Sequence, residues 1–231
     1  MSIAGNINDV KSNIARAAAD YPEFSAPEVQ LIAVTKTLGI EPIREAYDCG
    51  QRDFGENRVQ EILEKYPEFP KDVRWHLIGH LQTNKVKYIV DKVHMIHSLD
   101  SLKLAEEIEK RAAAIDRVIP CLVQVNIADE DTKFGLQKDD TVDFVKEMVR
   151  FPHIAVEGLM TIGPHVSDEE QIRTVFQELR QLKEEIATLA LPAVKMRELS
   201  MGMSSDYPVA VREGATMVRV GTTIFGARTK K

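Results

Sequence analysis

Short aliphatic runs alternate along this chain with longer stretches whose apolar positions recur every three or four residues. The run at 31–35 has the length and branched composition of a strand covered on both faces, and further strands are expected near 52–55, 74–79, 93–97, 119–126, 154–160, 197–202 and 216–220. Helical patterns separate them at Glu41–Cys49, Asn57–Tyr66, Thr83–Val90, Leu102–Ala114, Asp139–Arg150, Asp168–Leu189 and Asp206–Glu213. In the longest of these, Ile172, Phe176, Leu179, Leu182, Ile186 and Leu189 fall on one face. One more helical pattern, Asn6–Asp20, precedes the first strand with Ile7, Val10, Ile14, Ala17 and Ala18 on its apolar side, and is expected to close one barrel end. Strict alternation argues for a parallel sheet wrapped by helices. Eight units without a Pro/Gly/Ser linker predict one α/β domain over 1–231, a single (β/α)8 TIM-type barrel with an extra N-terminal helix, rather than an open doubly wound sheet.

Chemistry in such a barrel gathers at the C-terminal ends of the strands, and polar residues fall there. Lys36 ends the first run, Asn57 follows the second, His80 the third, Asn126 the fifth and Thr161 the sixth; Ser200 and Ser204 follow the seventh, and Arg219 lies on the eighth. An amine at a buried strand end is partly desolvated, which favours its neutral, nucleophilic form. By itself such a lysine also reads as one that snorkels to solvent. After the last two strands, Gly202 and Gly221 permit close backbone approach while Ser204 and Thr222 offer hydroxyl donors. This fold commonly seats a phosphate between those two loops. Ser204 or Ser205 would also serve as the N-cap of the helix that follows.

Composition narrows the function classes. The 231 residues are 44% hydrophobic and 29% charged, with a net charge of -6, an acidic balance that argues against a general nucleic-acid binder. Cys49 and Cys121 read as free core or near-core thiols of a reducing compartment, and no zinc spacing occurs. No apolar run approaches about 18 residues and no secretory signal opens the chain, so a cytoplasmic protein is expected. His76 and His80, and His94 and His97, are not spaced to make a metal pair on one face. The five tyrosines suggest packing, with Tyr207 nearest the phosphate loop, and the acidic loop 129–135 suggests a solvated loop or lid carrying Lys133 as a second candidate amine.

Three segments carry a resemblance: Ala33-Val-Thr-Lys36; Trp75-His-Leu-Ile-Gly-His-Leu-Gln-Thr-Asn-Lys85; and Leu199-Ser-Met-Gly-Met-Ser-Ser-Asp206 with Val218-Arg-Val-Gly-Thr-Thr-Ile-Phe-Gly226. In order and extent they resemble the pyridoxal phosphate homeostasis protein family, whose fold is similar to the N-terminal domain of alanine racemases. Leu77 departs from the larger residue expected in the second segment. The resemblance implies pyridoxal 5'-phosphate held as a Schiff base on Lys36, with Ser204, Gly221 and Thr222 on the phosphate and Arg219 facing the pyridine nitrogen. Asn57, His80, Ser200 and Met201 would line the same pocket. It also implies a non-catalytic role in intracellular vitamin B6 homeostasis, with transfer to apoenzymes as a further expectation.

An always-charged arginine beside the ring nitrogen keeps that nitrogen unprotonated and weakens the electron sink. Alanine racemases resemble this chain in that arginine but add a C-terminal β-domain and a partner's tyrosine, for which the chain as given leaves no room. A monomer is therefore expected. The competing readings are a monomeric racemase or transaminase using the same pocket, and a barrel that regulates a partner through its outer helices.

Overall fold

A computed structural model of the protein describes residues 2–20, 28–128, 134–164 and 166–227. Eight parallel strands close in chain order: β1 (Gln30–Val34), β2 (Asp53–Glu56), β3 (Arg74–Leu77), β4 (Met95–Leu99), β5 (Ile119–Gln124), β6 (Ile154–Met160), β7 (Val194–Ser200) and β8 (Met217–Val220). Closure is made by β8 on β1, with Arg219 opposite Ile32. Helices α1 (Ile3–Asp20), α2 (Ile40–Asp48), α3 (Val59–Lys65), α4 (Leu102–Ala113), α5 (Lys138–Glu147), α6 (Glu169–Thr188), α7 (Tyr207–Arg212) and α8 (Thr222–Phe225) surround them. The predicted barrel and its extra N-terminal helix are thus present.

Two elements differ from the sequence expectation. Thr83–Tyr88 is a 3-10 segment, not an α-helix; its apolar pattern supplies one buried anchor, Val86, too little to hold the costly first α-turns. Helix α1 packs along α7, α8 and α2 in the outer ring, beside an eighth helix only four residues long. Only its Lys11, Ile14, Ala15 and Ala18 reach the rim at the N-terminal mouth.

Alternation along each strand divides the core in two. One set of side chains, with Phe54, Trp75, Leu77, Phe176 and Leu199, packs between sheet and helices. The other points into the barrel, where Ile32, Met95, Leu122, Met160 and Met217 form a small apolar cluster with Ile162. Between β6 and β7 the backbones approach so closely that a Cβ on Gly158 would lie 1.9 Å from the Glu198 carbonyl oxygen, and the pairing register shifts beside it. Cys121 is buried, and burial pushes its thiol up, whereas Cys49 is exposed and not the near-core thiol expected. Among the described residues no helix is long and apolar enough to cross a membrane.

The Phe54 ring lies 5.8 Å from Trp75 and 6.4 Å from Phe69, wholly buried. Phe54→Ala should therefore cost about 3–5 kcal/mol. The expected observation is a lower urea midpoint with an unchanged slope.

Candidate functional site

At the C-terminal mouth a cavity of about 580 Å3 is bordered by Lys36, Asn57, His80, Ser204, Arg219, Gly221 and Thr222, contributed by the ends of β1, β2, β3, β7 and β8. Lys36 follows β1 by two residues, on the parity of the inward Ile32 and Val34, so its side chain is delivered into the mouth. Thr37 then turns the chain with φ 65, a conformation that a β-branched residue adopts only when its surroundings impose it.

The neighbours that impose it lie behind the strand. The Thr37 amide donates to Glu61 Oε1 at 3.2 Å, the Lys65 ammonium donates to the Thr35 carbonyl at 2.9 Å and to Glu56 Oε1 at 2.7 Å, and the Thr35 hydroxyl donates to the same oxygen. Burial pushes the Glu56 carboxyl well above its ordinary value, and the adjoining Glu61 carboxyl adds to the rise. For Glu61 burial acts the same way, but the hydrogen bond with Glu56 and the charge of Lys65 hold it below its ordinary value. Through Thr35 and Thr37 this cluster clamps the backbone on both sides of Lys36.

Across the mouth, Arg219 is 4% exposed. Its Nη1 donates to Ser200 Oγ at 2.6 Å and its Nη2 to the Thr161 carbonyl at 2.8 Å. Burial lowers the guanidinium to about 10, partly countered by Asp206, so it keeps its charge at neutral pH. Next to it, the Gly221 and Thr223 amides donate to Ser204 Oγ at 3.2 and 3.4 Å. Two N–H groups converging on one oxygen are the arrangement that receives an anion. Gly202 makes the loop beneath possible: it has φ +90, and a Cβ there would lie 2.6 Å from that of Ala210.

Several expectations are corrected. Neither Ser204 nor Ser205 caps the helix after β7; the residue there is Asp206, whose Oδ1 accepts from the Met203 amide. Ser200 and Met201 do not border the cavity. Strand β7 ends at Ser200, so Ser200 lies under Arg219 with its hydroxyl turned into the barrel, while Met201 packs in the outer core. Tyr207 is buried, its hydroxyl accepting from Asn13 at 3.0 Å. Lys133 and positions 129–132 lie outside the described residues.

The cavity also has walls that sequence reasoning missed: Val34, Ile78, Gln124, Phe134, Ile162 and Met203. Inward parity of Val34, Ile78 and Gln124 could have revealed three of them. Phe134 needed the fold: Gln124 Nε2 donates to its carbonyl at 3.0 Å, and its ring stacks on His80 at 4.2 Å between centroids. His80 Nδ1 lies 3.5 Å from Asp100 Oδ2. A larger cavity, about 760 Å3, lies at the opposite mouth between α1 and the strand starts. Its Arg74 and Asp53 are paired with each other, and the amine on its border, Lys11, comes from α1 and not from a strand end.

Residues 6–229 match the model of the alanine racemase N-terminal domain family. A pyridoxal phosphate homeostasis protein of Aquifex aeolicus is 46% identical over 203 residues, covering 86% of this chain and 87% of that protein. A crystal structure of an unknown protein from Bifidobacterium adolescentis superposes with a TM-score of 0.91 at 37% identity, over 96% of this chain and 94% of that one. PipY of Synechococcus elongatus, in its structure with PLP bound, superposes with a TM-score of 0.80 at 39% identity, over 92% and 100% of the two chains.

Inside the barrel, burial acts to raise the Asp53 carboxyl, but hydrogen bonds from His76 and Arg74 prevail and hold it well below the usual carboxylate range. Its contribution to stability is present above its unfolded value of about 4 and is lost as pH falls toward the lower folded value. Asp53→Asn should lower the urea midpoint more at about pH 6 than at about pH 3. A gap that does not narrow in acid would contradict this origin.

Proposed function

The chain belongs to the alanine racemase N-terminal domain family and, within it, to the pyridoxal phosphate homeostasis proteins; from that premise we propose that it holds pyridoxal 5'-phosphate as a Schiff base on Lys36 and serves intracellular vitamin B6 homeostasis without catalytic turnover. The observation that carries the reading is the meeting, in one cavity, of an amine from β1, a buried guanidinium from β8 and an N–H pair focused on Ser204 Oγ.

The residues present fit the group. When bound it supplies an aldehyde that condenses with an amine and releases water. Lys36 provides the amine, the amides of Gly221 and Thr223 with the hydroxyls of Ser204 and Thr222 receive the phosphate, and Arg219 faces the ring nitrogen. As a permanent cation, Arg219 withholds a proton from that nitrogen. Asn57 and His80 complete the wall, whereas Ser200 acts from beneath through Arg219 and Met201 has no part. We further read the protein as a cytoplasmic monomer that passes the cofactor to apoenzymes.

One observation favours the second reading, a monomeric racemase or related enzyme: His80, on the cavity wall beside Asp100, is a candidate acid/base group. Racemisation of an added L-amino acid by the loaded protein, lost in His80→Ala, would replace the carrier reading.

Borohydride reduction of the protein mixed with pyridoxal 5'-phosphate should trap the adduct on the Lys36 peptide, and Lys36→Ala should abolish it; adducts scattered over surface lysines in both proteins would refute the site. Ser204→Ala and Thr222→Ala should each loosen cofactor retention by about 10- to 150-fold, since a hydrogen bond to a charged group is worth roughly 1.5–3 kcal/mol. Retention measured by dialysis that stays unaltered would move the phosphate elsewhere.

A further inference from the structure

The barrel interior carries, beside its apolar cluster, a continuous file of polar side chains that cofactor binding does not use. From Arg219, Ser200 Oγ leads to His97 Nδ1 at 2.9 Å, His97 Nε2 to His76 Nδ1 at 2.9 Å, and His76 Nε2 to Asp53 Oδ1 at 3.0 Å. Ser200, His97 and His76 are fully buried. Asp53 receives Arg74 Nε at 2.7 Å and Gln30 Nε2 at 2.6 Å, and these three border the cavity at the N-terminal mouth. The file thus spans the barrel from one mouth to the other.

Donor and acceptor inventories give it a direction. An ionised carboxylate only accepts, so His76 Nε2 donates to Asp53. A neutral His76 then accepts at Nδ1, which requires His97 Nε2 to donate and His97 Nδ1 to accept. The Ser200 hydroxyl, already accepting from Arg219, donates to His97 Nδ1. With His76 neutral, every polar atom in the file is satisfied in this one arrangement, and reversing a single link would set two donors or two acceptors face to face. Burial, together with the nearby His76 and Arg219, holds His97 well below its ordinary value, consistent with a neutral ring.

We propose that Ser200, His97, His76 and Asp53 are positioning residues for Arg219, a hydrogen-bonded relay of fixed direction through which a carboxylate at the N-terminal mouth governs the guanidinium at the cofactor mouth. The relay rests on the preceding reading only in the role given to Arg219; its direction belongs to the ligand-free protein. A guanidinium whose acceptor is itself polarised by a chain ending in a carboxylate donates less strongly toward the cavity, so a change at the far end reaches the ring nitrogen. The charged and titratable groups facing the file are Asp53 on β2, Arg74 on β3, His94 and Arg117 before β4 and β5, Asp206 before α7, and Arg219 on β8.

The test uses two readouts. Nitrogen-15 NMR of the cofactor-free protein should show His76 and His97 both as neutral Nε2–H tautomers at neutral pH; an Nδ1–H tautomer or a cationic ring at His97 overturns the relay. His76→Phe should move the His97 proton toward Nδ1. In the protein loaded with pyridoxal 5'-phosphate, it should also shift the pH midpoint of the visible absorbance by about half a unit or more. His76→Gln, which keeps one donor and one acceptor, should restore both. Where His76→Phe does not fold, Ser200→Ala with Ser200→Thr as its rescue gives the same comparison. A folded break in the file that leaves the midpoint unmoved overturns the relay. A wild type that takes no cofactor on Lys36 refutes the preceding proposal instead, and the NMR readout then decides the relay alone.

Discussion

A guanidinium that keeps its charge is buried at the C-terminal mouth of this barrel, and much of the interior is arranged around that fact. An isolated buried cation is costly, so its N–H groups must be matched. Arg219 is matched by the Thr161 carbonyl and the Ser200 hydroxyl. The demand passes inward, because a buried hydroxyl that accepts must also donate, and each imidazole that accepts must donate in turn. The file ends where a carboxylate can close it, at Asp53 under Arg74 and Gln30. In place of a fully aliphatic filling, the barrel holds an apolar cluster on one side and this polar file on the other.

The same alternation that fills the interior builds the cavity. Inward parity carries from Ile32 through Val34 to Lys36 on β1 and from Met217 through Arg219 to Gly221 on β8. At the mouth the apolar positions give way to an amine, a guanidinium and a turn whose amides meet Ser204 Oγ. Behind β1, Lys65 and the paired carboxyls of Glu56 and Glu61 hold Thr35 and Thr37, so a strained turn next to the amine is maintained from outside the barrel.

Local pattern carried most of the fold. Strands β1, β5 and β8 follow from short aliphatic runs, because a strand covered on both faces needs one, and α6 follows from an unbroken 3–4 spacing over several turns. The pattern failed where it was short. Thr83–Tyr88 had one apolar anchor, and α1 could be recognised as a helix but not assigned to the outer ring, since that position is set by the shortness of α8. Lys36, Asn57, His80, Ser204, Arg219, Gly221 and Thr222 were legible as a group because strand ends in such a barrel share one mouth.

By itself the sequence determined which residues arrive at that mouth: periodicity fixes the strands, and parity with chain order fixes their inward positions. Only the tertiary structure decided what those residues do to one another. Ser200 proved to lie beneath Arg219, Met201 to face the helices, and Ser204 to receive amides from the next strand's turn instead of capping its own helix. His76 and His97, from different strands, are joined only by closure of the barrel. Such partners lie tens to more than a hundred residues apart, and distances across a closed barrel depend on register and strand length together, which no local pattern encodes.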